Sequence, residues 1–75
     1  MREKVLNLLQ GEFPEIDFLS STTLVDDGTL DSLTITSIIA ALTMEFDVQI
    51  PYEEIIEENF NSIDGLANMI TRLTN

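Results

Sequence analysis

Near the start of the chain, apolar residues recur at three- and four-residue steps: Val5, Leu6, Leu8, Leu9 and Phe13. That period predicts a helix from Arg2 to about Glu12, with Gly11 and Pro14 marking its end. The period then breaks. Residues 13–31 hold Pro, Gly, Ser, Thr and Asp in loop proportions. Unstructured connections of this length are uncommon in small domains and tend to carry function. Ile16, Phe18, Leu24, Val25 and Leu30 are the residues expected to pin this loop to a core. Ser32 to Phe46 is the strongest helical stretch. At 100° per residue, Ile35, Ile38, Ile39, Leu42 and Phe46 share one face and form a core stripe. Leu33, Ser37, Ala40 and Met44 share the opposite face, and Glu45 is the one charge in the span. An apolar strip on an exposed helix face points to a contact with another molecule.

Asp47 and Pro51 end that helix, and Val48 and Ile50 read as extended core plugs. The segment "YEEIIEENF" has room for one or two short helical turns. Ser62 then caps a last helix, with Asp64 in the first turn and Arg72 in the last, both of the sign that the helix dipole favours. Ile63, Leu66, Ile70 and Leu73 form its buried stripe, with Ala67 and Met69 beside it. The expected fold is all-α: a small four-helix bundle, three main helices plus one short one, with a long first loop, in one domain spanning residues 1–75.

Composition narrows the function. At 75 residues there is little volume for both a core and a deep cleft. No histidine and no cysteine are present, which removes the commonest general base, any thiolate nucleophile and any disulfide. The acids are numerous, but a carboxylate pair needs a walled pocket to catalyse. An enzyme is therefore not expected. Fourteen acidic against three basic residues give a net charge of −11, a field that repels nucleic acid and anionic membranes and favours basic protein partners. The N-terminal stretch has no apolar run of signal-peptide type, and a monomeric cytoplasmic protein is the expectation. An EF-hand loop aligned on Gly28 would put Thr23, Val25 and Thr34 where acids belong, so no intrinsic metal site is expected.

Ser32 is the residue of chemical interest. One reading makes it a helix cap or first-turn hydroxyl, with Asp31 as the other candidate for the cap. The other makes it an attachment point, because the free amides and dipole of a helix N-terminus welcome an anion there. Position and electrostatics name an anion and leave its identity open: a phosphodiester and a simple phosphate satisfy the same physics.

The spacing of several signals resembles the acyl and peptidyl carrier proteins. They are the D-S-L triplet at Asp31, Ser32 and Leu33, the acidic approach from Asp26 to Asp31, Phe46-Asp47 followed by Ile50-Pro51, "ENF" at Glu58 to Phe60, and the closing apolar helix. The likeness covers nearly the whole chain. It implies that Ser32 carries a 4′-phosphopantetheine arm taken from coenzyme A by a phosphopantetheinyl transferase, which uses magnesium with help from Asp31. The arm's thiol would hold an acyl or aminoacyl group as a thioester, and the second helix would dock partners, among them an acyl- or aminoacyl-activating ligase and downstream biosynthetic enzymes. Fatty-acid carriers typically bear several acids along that helix. Here it presents Leu33, Thr36, Ser37, Ala40 and Met44, and the acids gather at Glu53, Glu54, Glu57 and Glu58, a run read as a solvated face. That departure implies apolar docking and a dedicated pathway carrier. The alternative is an acidic helical adaptor for a basic partner, unmodified or switched by phosphorylation at Ser32.

Self-repulsion at this net charge strains the compact state. Added sodium chloride or magnesium is expected to raise the melting temperature; a melting temperature flat across salt would show that the repulsion is minor.

Overall fold

In the computed structural model, residues 1–74 are described. Four α-helices run in the order α1 (Arg2–Glu12), α2 (Ser32–Phe46), α3 (Glu57–Phe60) and α4 (Ile63–Thr74), with a 3-10 turn at Tyr52–Glu54 before α3. Among the described residues there is no strand. The all-α bundle and its long first loop are as the apolar periods predict, and the segment before the last helix divides into the 3-10 turn and α3.

Helix α1 packs on both α2 and α4, and α3 packs on α4. The shared core contains Val5 and Leu9 from α1, Ile38 and Leu42 from α2, Phe60 from α3, and Ile63, Leu66, Ala67, Met69 and Ile70 from α4. Four residues of the 13–31 connection, Ile16, Phe18, Leu24 and Leu30, are buried in the same core. They make it a folded loop rather than a tether. Burial is uneven along the expected stripes. Ile35, Ile39 and Phe46 on α2, Val25 in the loop, Ile50, and Leu73 on α4 are only half-buried against the core. A body of 30 × 24 × 19 Å is too thin to enclose both flanks of every helix.

Helix termini follow the local chemistry. The Ser62 hydroxyl accepts from the Gly65 N–H at 3.0 Å and caps α4. Helix α2 ends where Asp47 enters the left-handed region at φ 51°, a conformation that costs least for glycine and is tolerated by aspartate. Val48, buried, follows at once and turns the chain inward.

The acidic run departs from a uniformly solvated face at Glu54. Its side chain is only 25% exposed, and its carboxylate accepts from Arg72 on α4 at 2.7 Å and from the amide of Asn59 at 3.1 Å. Asn59, itself buried, also donates to the Glu54 carbonyl at 2.7 Å. This cluster fastens the 3-10 turn and α3 to α4. A second ion pair, Arg2 with Asp64, joins the N-terminal ends of α1 and α4, but both partners are exposed and its contribution is about 0–1 kcal/mol.

Gly65 marks the closest approach of α3 to α4. A Cβ there would lie 2.6 Å from the Glu58 carbonyl oxygen and 3.1 Å from that of Asn59. In an open helix, Gly→Ala stabilises by about 1 kcal/mol. Here backbone must move, so Gly65→Ala is expected to destabilise by about 1–3 kcal/mol in urea denaturation, and a gain in stability would show that the α3–α4 contact is loose.

Candidate functional site

The site is built from the loop that leads into α2. Gly28 takes φ 82°, which a side chain would strain, and lets the chain reverse between Val25 and Leu30. The reversal is closed by backbone hydrogen bonds: the Gly28 N–H donates to the Val25 carbonyl at 3.1 Å and the Leu30 N–H to that of Leu24 at 2.9 Å. Asp27 braces it, accepting from the Thr29 N–H at 2.9 Å and the Thr23 hydroxyl at 3.2 Å. The Thr29 contacts hold the Asp27 carboxyl below its ordinary value.

Asn61, at the C-terminal end of α3, ties this turn to the body. Its backbone carbonyl accepts from the Leu24 N–H at 2.9 Å. Its side-chain oxygen accepts from the N–H groups of Val25 at 2.8 Å and Asp26 at 3.1 Å, and its amide donates to the Asp26 carboxylate at 3.2 Å. Asn61 was not among the residues singled out from the sequence. An isolated polar residue joining two irregular segments leaves no periodic signal.

One residue past Leu30 the helix begins. Asp31 is the N-cap in extended backbone (φ −93°, ψ −179°), and its carboxylate accepts from the Thr34 N–H at 2.8 Å. Thr34 thereby holds the Asp31 carboxyl below the usual aspartate value. The choice between the two capping candidates is settled: Asp31 takes the cap, and Ser32 is the first helical residue, exposed. Its side chain is free of the capping task.

Leu33 is 81% and Met44 83% exposed. Thr36, Ser37 and Ala40 between them are exposed as well. The Thr36 hydroxyl donates to the Ser32 carbonyl at 2.8 Å, so its proton is already committed within the helix. Tyr52, in the 3-10 turn, is 87% exposed.

On the flank of α2, Val25, Ile35, Ile55, Ile56 and Phe60 line a partly open cavity of about 100 Å³. Glu57 is the charged residue in its wall. Asp26 lies beside Glu57 and raises the Glu57 carboxyl above its ordinary value, by a shared hydrogen bond and by like-charge repulsion.

The model of the family described as the phosphopantetheine attachment site matches residues 3–70. The chain belongs to this family. It is also 31% identical over 74 residues to aminoacyl carrier protein 1 of Bradyrhizobium diazoefficiens, an alignment covering 93% of this chain and 81% of that protein. No solved structure matches significantly. Phosphopantetheine is therefore the prosthetic group of this carrier domain, and the domain carries rather than catalyses. Members of the family work with transferases and biosynthetic enzymes. Among the described residues, no helix is long and apolar enough to cross a membrane.

The carboxylate pair gives a signed test. A raised carboxyl value in the folded state means that ionisation opposes folding, so acidification through the interval between the folded and unfolded values relieves the strain. Glu57→Gln is expected to raise the melting temperature at neutral pH, and the gain should vanish below the ordinary glutamate value, where Glu57 is protonated in both states. A constant difference across pH would show that Asp26 does not strain Glu57.

Proposed function

We propose that the chain holds an acyl or aminoacyl group as a thioester on a 4′-phosphopantetheine arm attached to Ser32 and presents it to partner enzymes. The observation that carries this reading is the exposed Ser32 hydroxyl, released from capping by Asp31, at a helix start inside the matched residues. The first-turn amides and the dipole of α2 favour a phosphodiester at that point. In the attachment step, Ser32 Oγ bonds to the pantetheine-side phosphorus of coenzyme A. The pyrophosphate bond breaks, adenosine 3′,5′-bisphosphate leaves, and the hydroxyl proton passes to a base on the transferase.

Asp31 has two tasks in this account. One carboxylate oxygen receives the Thr34 N–H, and the other is available to the transferase's magnesium. Its depressed carboxyl value keeps it ionised for both. Once attached, the group supplies the thiol that a chain without cysteine lacks.

Docking rests on the outer face of α2. Leu33 and Met44, with Ala40 between them, offer apolar contact, and Ser37 offers a hydroxyl; Thr36 contributes through its methyl group, its proton being held by Ser32. With one acid on this helix, association is less dependent on salt than docking through charge. The relative named as an aminoacyl carrier supports an aminoacyl cargo.

Incubation with a phosphopantetheinyl transferase, magnesium and coenzyme A is expected to add one phosphopantetheinyl unit to the intact mass. Ser32→Ala should abolish the addition with its circular dichroism unchanged. No addition to the wild-type chain beside an active control carrier contradicts the proposal. Function that survives Ser32→Ala supports the adaptor reading instead.

A further inference from the structure

Asn61 sits at the junction of two packed helices. It follows the buried Phe60 at the end of α3, and its own N–H donates to the Glu57 carbonyl at 2.9 Å. Ser62 then caps α4, and Ile63 is buried. The asparagine is thus fixed on both sides, while its side chain crosses to a segment that has no helix of its own. The N–H groups of Val25 and Asp26, 36 and 35 residues away in sequence, both donate to its side-chain oxygen.

The segment held in this way is the entry to α2. Leu30 is buried and directly precedes the cap, and an apolar residue at that place fixes the angle at which a chain enters a helix. Its N–H is bound to the carbonyl of Leu24, the neighbour of Val25. The extended backbone of Asp31, which lets its carboxylate receive the Thr34 N–H, continues that direction of entry. A transferase must meet two atoms at once, Ser32 Oγ and the second carboxylate oxygen of Asp31. Both lie at the first turn of α2, where the amides lack partners within the helix and the chain frays unless the cap holds.

We propose that Asn61 is a positioning residue for the attachment at Ser32: by holding the 24–26 turn to the end of α3, it keeps the Asp31 cap and the Ser32 hydroxyl in the arrangement that the transferase accepts. This rests on the carrier reading above and adds a residue that acts through the loop and not on the reacting atoms. Leu24 and Leu30 stay buried without the side chain, so loss of the tether widens the range of entry angles without unfolding the domain. The transferase then binds the fraction of chains in the competent arrangement, and apparent affinity falls with that fraction. Once bound, the reacting atoms are placed as before. The effect therefore falls on KM and spares kcat. The Asp26 N–H is exposed and turns to water, so the loss is about that of one hydrogen bond, or roughly a two- to tenfold change in population.

The test measures initial rates of phosphopantetheinyl addition across concentrations of the 75-residue chain, with a phosphopantetheinyl transferase, magnesium and saturating coenzyme A. The temperature is one at which circular dichroism shows the variants folded. Asn61→Ala is expected to raise KM roughly three- to tenfold with kcat within about twofold of wild type. Asn61→Ser, whose hydroxyl is too short to reach both N–H groups, is expected to do the same and takes the place of the alanine variant if that one does not fold. Asn61→Asp keeps the accepting oxygen. It should return KM to within about twofold of wild type at about 0.3 M salt, where its repulsion with exposed Asp26 is screened. Val5→Ala, a buried change in α1 outside these hydrogen bonds, lowers stability and should leave KM unmoved. No addition to the wild-type chain overturns the carrier reading and the positioning role with it. Addition to wild type with KM unchanged by loss of the Asn61 side chain, no rescue by Asn61→Asp, or an equal rise in Val5→Ala overturns the positioning role alone.

Discussion

Asn61 reaches from the end of α3 to the loop residues Leu24, Val25 and Asp26, and the geometry at Ser32 follows from that grip. The backbone of this turn runs over the surface of a thin body, where its N–H groups need acceptors. Asn61 supplies two with one oxygen and a third with its carbonyl. Each such bond contributes about 0.5–1.5 kcal/mol net, and leaving the donors unpaired costs more. Because Leu24 in turn accepts from Leu30, the residue just before Asp31 is fixed to α3 through two hydrogen bonds. The cap, and with it the start of α2, is thereby tied to the end of α3.

That arrangement separates two demands made on a helix start. The first-turn amides need an acceptor, and a modification site needs a free hydroxyl. A serine in the cap position would meet the first demand and forfeit the second. With Asp31 at the cap and Ser32 one residue later, both are met, and the helix dipole favours the phosphodiester that we propose at Ser32.

The parts of the fold governed by period were legible in the chain. Val5 and Leu9, Ile38 and Leu42, and the 63–70 stripe are buried as their spacing implies. The D-S-L triplet and its approach identified the family before any coordinates. Contacts between irregular segments were not legible. Asn61 meets residues far from it in sequence, and Glu54 meets Arg72 and Asn59 across three elements. Such contacts depend on where turns end in space, which neither composition nor period encodes. The Asp26–Glu57 pair belongs to the same class: Asp26 reads as part of the acidic approach to α2 and Glu57 as part of a solvated run, and only the fold brings them side by side.

The central claim is that a phosphopantetheine arm sits on the hydroxyl of Ser32 in the working protein. Fragment-ion mass spectrometry of the protein purified from the cells that make it tests this most directly. The account predicts a phosphopantetheinyl group localised to Ser32 in the peptide spanning the start of α2. A bare phosphate at that serine, or the arm on any other hydroxyl, would contradict it.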